Sequence, residues 1–404
     1  RKIQGCVNPH PKIQHSSKRR DNRRRNRMRQ EVVDRLVKLM KSDGLSAHIL
    51  CSPENFAYVT GFIVPSQPLL RHRHAMAVVT AGGKIFLFGV DMEATTIAQR
   101  APDTPLRIWA EFSDDPMAVL TDLLQEIELD GTRIGIETGY LPADAFARLQ
   151  DNMGRTKFVI NDEAIAKLRQ LKTADEIALL KRLSLISDQA ITEALGSVRR
   201  GDTEMDIASH VTRGVYELGG QDFKLLIVAT GERSQLPNVG PSMRTLQPED
   251  VCRIEVFSVI EGYHAGVCRT AVVENPPPFA EKIWRVLVEC KYLLLDSIKP
   301  GASCRKIYED SISLLARMNL PPISFIGHGI GLFLHEDPYL GRIPVIGSQN
   351  DAFLEPGMVL GVEPLCYQTG YGFGMQNKDM ILVTEEGCTL MSDYANTDAL
   401  MVIS

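Results

Sequence analysis

Two patterns of hydrophobic residues follow one another along this chain, and the change near residue 165 constrains the fold more than any other feature. Before that point, strand-like runs such as SAHIL, HAMAVVT, GKIFLFG, TRIGIE and KFVIN alternate with helical segments, among them EVVDRLVKLMKSDGL and residues 116–128 and 143–152. Alternating strands and helices are typical of a sheet covered by helices. We therefore predict a small α/β domain over residues 31–165.

Longer helices and a hairpin pattern characterise the second half, residues 166–404. The segment TADEIALLKRLSLISDQAITEAL is predicted to be one helix, with Thr173 as its N-cap and Glu176 completing a capping box. Strand-like runs over 224–229 and 252–273, and later MVLGVEP and DMILVT, are interspersed with further helical segments. The pattern predicts an α+β domain with a mostly antiparallel sheet.

The first thirty residues differ from the rest of the chain in charge. They contain eleven Lys or Arg and one Asp, whereas the whole chain has a net charge of −5. Such basic runs occur in proteins that bind nucleic acids or membrane surfaces, but no aromatic residue interleaves these charges and the rest of the chain is acidic. We therefore predict a solvated, disordered tail over residues 1–30, without a nucleic-acid or membrane partner.

Composition and cysteine spacing indicate a protein of the cytoplasm. The chain is 44% hydrophobic and 24% charged, as soluble globular proteins are, and no apolar run approaches the roughly 18–20 residues of a membrane span. Its eight cysteines are scattered without CxxC pairs. This spacing predicts reduced thiols and neither a disulfide framework nor a zinc ribbon.

Four segments of the second domain place polar side chains on short strands or tight turns: PNVGPSMR, RIEVFSVIEGYHAGVCRT, FIGHGIGLFLHE, and GVEPLCY with GMQNKDMILVT. Glycines on either side of a histidine let the backbone approach a ligand closely. The acids Glu255 and Glu363 lie within apolar runs, where burial without a partner is costly. One such feature is typical of an ordinary core residue, but four together predict a binding or catalytic site.

The segment GHGIGLFLHEDP followed by LEPGMVLGVEP resembles the creatinase/aminopeptidase P family, which includes Xaa-Pro dipeptidases and methionine aminopeptidases. SPENFAYVTGF, LRQLKTADEIALLKR and PSMRTLQPEDVCRIEV extend the resemblance over nearly the whole chain from about residue 30. The resemblance implies a "pita-bread" catalytic domain over residues 166–404, preceded by a smaller α/β domain. It also implies a homodimer.

In the metallopeptidases of that family, five side chains hold two divalent ions. By the resemblance, the two aspartate positions correspond to Glu255 and Gly266, the histidine to His328, and the two glutamates to Glu363 and Lys378. Glycine has no side chain to bind an ion, and an ammonium about 4 Å from a cation costs roughly 4 kcal/mol at an effective dielectric near 20. We therefore predict no dinuclear metal centre and no cofactor. One weakly held divalent ion on Glu255, His328 and Glu363 is the alternative.

Creatinase is a member of this family that works without metal and hydrolyses a guanidino C–N bond with histidine and carboxylates. By this resemblance, His328 or His335 is expected to act as general acid and base. Glu255 and Glu363 are expected to orient the substrate, and Lys378 to anchor a carboxylate or the transition state. The lysine is also expected to lower the pKa values of both glutamates.

Other positions of creatinase correspond to residues that differ in this chain. Its catalytic histidine falls at Asn238, and a glutamate that holds the guanidinium falls at Cys268, next to Arg269. Cys268 is a candidate nucleophile, because a neighbouring cation lowers a thiol pKa, although a neutral buried cysteine is the alternative. Arg269 either binds substrate or braces the site. His264, in the same hairpin, is a further candidate for substrate binding.

Arg73, between His72 and His74, corresponds to the arginine that creatinase directs from its N-terminal domain to a substrate carboxylate. The sequence thus predicts a hydrolase that cleaves a C–N bond (guanidino, ureido or amide) in a small carboxylated substrate, without a dinuclear centre. The alternatives are a metal-dependent Xaa-Pro dipeptidase or aminopeptidase, a lyase or other small-molecule enzyme, and a non-catalytic binding module. The surroundings of Lys378 distinguish them: an amine that fills the pocket favours the module, whereas an open pocket lined by histidines favours catalysis.

Overall fold

The computed structural model describes residues 18–346, 348 and 350–404. Its helices are α1 (Lys18–Asp43), α2 (Pro53–Thr60), α3 (Ala94–Arg100), α4 (Pro116–Glu126), α5 (Ala143–Asn152), α6 (Asp162–Gln170), α7 (Ala174–Leu195), α8 (Glu204–Glu217), α9 (Ala280–Ser297) and α10 (Cys304–Ala316). Its strands are β1 (Ala47–Leu50), β2 (Met76–Thr80), β3 (Ile85–Val90), β4 (Leu106–Trp109), β5 (Arg133–Ile136), β6 (Lys157–Ile160), β7 (Asp222–Thr230), β8 (Val251–Ile260), β9 (Tyr263–Val273), β10 (Phe325–Gly329), β11 (Glu336–Gly341), β12 (Val359–Val362), β13 (Leu365–Cys366), β14 (Met375–Gln376), β15 (Asp379–Val383), β16 (Cys388–Leu390) and β17 (Met401–Ile403).

The N-terminal domain is a six-stranded sheet with helices on both faces. Its strand order is β4-β3-β2-β1-β5-β6, and β5 pairs in parallel with both β1 and β6. All four residues of β1 are buried, because Ala47 and Ile49 pack with α4 and α5 while Leu50 packs with α1 and α2. A strand covered on both faces reads as a continuous apolar run. The predicted α/β layering is present.

Short elements of this domain were not apparent from periodicity. Helix α2 begins after Ser52, whose side chain accepts from the Asn55 backbone amide, and β4 has four residues.

The predicted domain boundary at residue 165 falls within α6. Helix α1 begins at Lys18, inside the basic stretch that we expected to be disordered. Arginine has a good helix propensity, which suits a helical backbone from residue 18 onward; residues 1–17 lie outside the described residues.

The C-terminal domain contains two main sheets, each with its own pair of helices. Helices α7 and α8 share a core with the sheet β17-β9-β8-β7, and α9 and α10 pack against the sheet β11-β10-β12-β15-β16. Helix α7 begins at the predicted capping box of Thr173 and Glu176. The expected α+β class is therefore observed, with antiparallel pairing throughout except for β17 on β9.

The two halves of this domain repeat one local arrangement and meet at the candidate site. Thr203 caps α8 and bridges Thr245, while Ser303 caps α10 and bridges Phe353. Between the halves, the backbone amides of Cys268 and Lys378 each donate to the other's carbonyl at 3.2 Å. Side chains from both sheets therefore face each other across this bridge.

Within the described part of the chain, no helix combines the length and the apolar character needed to cross a membrane.

Candidate active site

One face of the β8–β9 hairpin supplies the first part of the site. Residues Arg253, Glu255 and Phe257 alternate along β8, so they share a face of the sheet. The strand register places Cys268 opposite Glu255 and Gly266 opposite Phe257. The hairpin predicted from sequence is thus present, and it brings an acid and an aromatic ring to the centre of the domain.

The second sheet supplies the other groups. His328 lies on β10, Glu363 follows β12 and Lys378 precedes β15, and β12 pairs with both β10 and β15. The site residues Glu255, His328, Glu363 and Lys378 are all buried. Four of the residues proposed from the sequence therefore form one cluster, although more than a hundred residues separate Glu255 from Glu363.

The ammonium group of Lys378 lies at the centre of this cluster. Its Nζ is 3.1 Å from Glu255 Oε1, 3.4 Å from Glu363 Oε2 and 3.1 Å from His328 Nε2. It also lies 4.6 Å from the centroid of the Phe257 ring, within the range of a cation–π interaction. An ammonium has three hydrogens to donate, and three acceptors surround it. We had predicted that Lys378 anchors a substrate. Its ammonium is instead occupied by three protein side chains, so it can bind a substrate only if one of them moves away.

Burial and neighbouring charges act in opposite directions on the pKa values of Lys378 and Glu363. Burial favours the neutral amine, but Glu255 and Glu363 outweigh it and hold the pKa of Lys378 above its ordinary value. For Glu363, burial is the larger effect and raises the pKa to about 7, although Lys378 and Gln376 oppose the rise. Lys378 lowers the pKa of this glutamate as predicted, but burial of the carboxyl group outweighs the lysine, so the net shift is upward.

The two histidines of the glycine-rich segment have different roles. His328 is fully buried; its Nδ1 bonds the Gly329 carbonyl at 2.8 Å and its Nε2 accepts from Lys378. Burial, Lys378 and His335 hold the pKa of His328 well below its ordinary value. Both ring nitrogens are engaged, which argues against the predicted role of His328 in proton transfer.

His335 is the histidine that reaches solvent. Its ring stacks on His328 with centroids 3.7 Å apart, and its Nδ1 lies 3.3 Å from the Tyr339 hydroxyl. Burial of part of the ring, with Lys378 nearby, lowers the pKa of His335 to about 4, so the ring is neutral near pH 7. A neutral, accessible imidazole can accept a proton.

Phe257 explains why residue 266 is a glycine. A Cβ atom on Gly266 would lie 2.2 Å from Cε1 of Phe257, which is closer than non-bonded carbon atoms approach. The ring therefore occupies the space that a side chain at position 266 would need. Phe257 was not among the residues predicted from the sequence, because nothing in an apolar strand distinguishes it from an ordinary core residue.

The residues present do not fit the two-ion centre that the resemblance implies. Glu255, His328 and Glu363 remain, but the Lys378 amine lies within 3.4 Å of a side-chain atom of each of them. A cation held by these three groups would meet the ammonium, and Phe257 excludes a ligand at position 266. Among the described residues, no group of three or more His, Cys, Asp or Glu side chains is placed to hold a metal ion.

Two further polar side chains join the site and were missed. The Gln376 amide donates from Nε2 to Glu363 Oε2 at 2.9 Å, and its Oε1 accepts from Arg253 at 3.1 Å. The doublet QN directly before Lys378 could have indicated Gln376 as a site residue, since a polar pair between apolar strands is unusual. Arg253 gave no such signal, because an arginine at a strand end is commonly exposed.

For Cys268 and Arg269, the structure favours the structural alternatives over a nucleophile and a substrate ligand. Burial, with Glu255 nearby, raises the pKa of the Cys268 thiol well above its ordinary value, so the alternative of a neutral buried cysteine applies. The Arg269 guanidinium pairs with Asp188 and Asp379, both at 2.8 Å, and donates to the Lys378 carbonyl at 2.9 Å. Arg269 is therefore a brace between the two sheets.

The remaining candidates lie apart from the Lys378 cluster. Arg73 forms a bidentate ion pair with Glu111, through Nε at 2.8 Å and a terminal nitrogen at 2.9 Å. Asn238 is exposed on the loop before β8. His264 is buried, with Nδ1 3.2 Å from the Gly331 carbonyl. Their contacts explain local structure, and none of the three touches the buried lysine.

Two cavities lie elsewhere in the molecule. One, of about 590 Å³, is bordered by α1, the end of α2 and the α3–β4 connection. The other, of about 310 Å³, lies between the start of α9 and β17. Neither is lined by residues of the lysine cluster.

Comparison with known proteins identifies the family. The sequence pattern of metallopeptidase family M24 matches residues 178–385, and that of the creatinase/prolidase N-terminal domain matches residues 33–171. An Xaa-Pro dipeptidase of Pyrococcus furiosus is 26% identical over 363 residues, covering 88% of this chain and 96% of the relative. A putative dipeptidase of Bacillus subtilis, YkvY, is 23% identical over 372 residues, covering 90% and 97%.

Solved structures agree with the fold. The X-Pro aminopeptidase from Thermotoga maritima has a TM-score of 0.79 at 23% identity and covers 92% of this chain and 99% of its own. The Xaa-Pro dipeptidase from Bacillus anthracis has a TM-score of 0.79 at 22% identity, covering 93% and 99%. The predicted two-domain architecture with a pita-bread catalytic domain is confirmed, and the chain belongs to metallopeptidase family M24.

Proposed function

We propose that this protein hydrolyses a C–N bond in a small carboxylated substrate without a dinuclear metal centre. The observation that carries catalysis is the exposed, neutral His335 ring stacked on His328. The absence of a dinuclear centre is supported by the Lys378 amine, bonded to Glu255, Glu363 and His328 where relatives in the family would hold cations. The family and the dipeptidase names of several relatives support hydrolysis of a C–N bond. The C–N bond that is cleaved belongs to a guanidino, ureido or amide group of the substrate.

In the proposed reaction, His335 transfers the proton. With Nδ1 bonded to the Tyr339 hydroxyl, Nε2 accepts a proton from water while the water oxygen attacks the carbon of the C–N bond. The imidazolium then gives this proton to the leaving nitrogen, so that a C–O bond forms and the C–N bond breaks. Lys378 does not contact the substrate in this scheme; it holds His328, on which the His335 ring stacks.

The proposal is tested by metal analysis of the purified protein, followed by a screen of guanidino, ureido and N-acyl amino acids and Xaa-Pro dipeptides. We expect less than one bound divalent ion per chain and turnover that EDTA does not change. His335→Gln should lower kcat by about 100-fold or more, whereas His210→Gln, an exposed histidine of α8, should not. Activity lost on chelation and restored by Mn²⁺ or Co²⁺ would instead identify a metallopeptidase.

One observation favours a second function, a peptidase-like module that binds without catalysis. All three acceptors around the Lys378 amine are side chains of the protein, and the lysine is 1% exposed. A pocket filled in this way needs no substrate to complete it. Absence of turnover across the whole screen, combined with saturable binding of a peptide, would support the module over the hydrolase.

We also propose that the protein is a cytoplasmic homodimer. The seven cysteines within the described residues are free thiols, which suits a reducing compartment, and the family resemblance implies the dimer. Light scattering coupled to size-exclusion chromatography should give twice the chain mass of 44.9 kDa. A mass equal to that of one chain would contradict the dimer.

A further inference from the structure

Arg253 is a buried cation whose contacts are with uncharged groups. It is 0% exposed and lies on β8, two residues before Glu255 on the same face. Its guanidinium donates to main-chain carbonyls of Ser234 at 3.2 Å and Pro237 at 3.1 Å, and also to that of Leu236. A buried charge that does no more than stabilise a fold is normally paired with an opposite charge.

The fourth contact of Arg253 determines the orientation of Gln376. A side-chain amide has a donor end and an acceptor end that are nearly identical in shape. Arg253 can only donate, so it fixes Oε1 of Gln376 towards itself at 3.1 Å. The Nε2 group is then directed at Glu363 Oε2, where it donates at 2.9 Å. A flipped amide would place its oxygen against the carboxyl group.

The same guanidinium holds the loop that carries Asn238. The three carbonyls it binds belong to residues 234–237, directly before Asn238. The guanidinium carbon also lies 4.8 Å from the centroid of the Tyr367 ring, in the segment after Glu363. One side chain thus joins this exposed loop, the Glu363 segment and the strand that carries Glu255.

We infer that Arg253 is a positioning residue of the active site, which orients Gln376 towards Glu363 and holds the loop of residues 234–237 against strand β8. Its effect on turnover rests on the proposed function, whereas its effect on the loop does not. A lysine cannot replace it, because one ammonium presents three hydrogens from a single atom and cannot span the carbonyls and the amide together.

The test combines amide hydrogen exchange on the full chain with the hydrolysis assay, using Arg253→Met, Arg253→Lys and Gln376→Leu. In both Arg253 variants, we expect the peptide covering residues 234–238 to exchange about 10-fold faster or more. Its Leu236 amide bonds the Arg233 carbonyl, and this bond opens more often when the guanidinium no longer holds the loop. Gln376→Leu should leave that exchange within about twofold of the unmodified protein. All three variants should lower kcat by about 10- to 100-fold, because a misplaced Glu363 shifts the Lys378 amine that holds His328 under the His335 ring.

Arg169→Lys serves as the control for the loss of a buried guanidinium, because Arg169 pairs with Glu336 at the domain interface. It should leave exchange at 234–238 unchanged. Unchanged exchange in Arg253→Met, or full kcat in Arg253→Lys, would overturn the inference. If the unmodified protein shows no turnover with any substrate, the proposed hydrolase fails, while the exchange of residues 234–238 still decides the role of Arg253 in the loop.

Discussion

At the scale of single residues, Lys378, Phe257 and Gly266 together build a site around an ammonium group. Lys378 supplies the positive charge, Phe257 covers it with an aromatic ring, and Gly266 leaves room for that ring. The ring requires the glycine, since any side chain at position 266 would collide with it. The Lys378 ammonium in turn contacts the ring that the glycine admits.

Substituting these three residues should create an ion site. In the triple variant Phe257→Gly, Gly266→Asp and Lys378→Glu, four carboxylates and His328 would surround the space now filled by the amine and the ring. We expect binding of Mn²⁺ or Co²⁺ by calorimetry, with a stabilisation of about 2.7 kcal/mol at a concentration 100 times Kd. Gly266→Asp alone should bind no ion, because Phe257 remains.

Stoichiometric binding of these ions by the unmodified protein, lost in Glu255→Gln, would contradict this account. In that case, a metal ion would displace the Lys378 ammonium group from between Glu255, Glu363 and His328.

At the scale of elements, a buried ion cluster connects the two domains to the loop of His335. Glu336 begins β11 and pairs with Lys172 at 2.8 Å and Arg169 at 3.2 Å. Burial alone would raise the pKa of Glu336, but Lys172 and Arg169 hold it below its ordinary value. Arg169 also bonds Asn55 of α2 and lies over the Phe333 ring. The N-terminal domain thus helps to fix the loop next to His335.

Glu336→Gln should show how strongly this cluster contributes. The change leaves Lys172 and Arg169 buried without a carboxylate, so we expect a loss of about 3 kcal/mol in the free energy of unfolding. Hydrogen exchange of residues 331–336 should also increase. The matched control is Glu217→Gln, which removes an exposed partner of Arg213 and should cost less than about 1 kcal/mol. Equal losses in the two variants would contradict a special role for Glu336.

At the scale of the whole molecule, neutral buried histidines limit stability in acid. Burial lowers the pKa of His48, His74 and His264 to about 4 in each case. Both ring nitrogens of His48 lack a hydrogen-bond partner in the described structure. Because the folded pKa is below the ordinary value of 6.5, the unfolded chain binds the proton first as pH falls. Stability is therefore lost between about pH 6.5 and pH 4.

His48→Leu should reduce this acid sensitivity. His48 lies on β1 against Gly135 of β5, where an apolar side chain needs no hydrogen bonds. We expect the loss of unfolding free energy between pH 6.5 and 4 to become smaller by up to about 3 kcal/mol, measured by urea denaturation across this range. The control His210→Leu changes an exposed residue and should keep the original pH dependence. Identical curves for His48→Leu and the unmodified protein would contradict the prediction.

The candidate site was predictable where its residues lie in recognisable motifs. His328, His335, Glu363 and Lys378 follow glycine-rich or apolar runs, and Glu255 lies in an apolar strand. Phe257, Gln376 and Arg253 were not predictable, because their roles come from cross-strand and cross-sheet neighbours. Arg73 was assigned to substrate binding from its place in the chain, whereas its contacts depend on Glu111 in a separate loop.

The sequence by itself determined the two-domain layout, the capped start of α7, and a glycine and a lysine at two positions where the resemblance implies metal ligands, because periodicity, capping and residue type are local properties. Only the tertiary structure decided that the Lys378 amine lies among the surviving ligands, that Phe257 takes the space above Gly266, and that His335 rather than His328 is accessible. These outcomes depend on distances between strands that are far apart in sequence, and on burial, which determines the charge that each group carries.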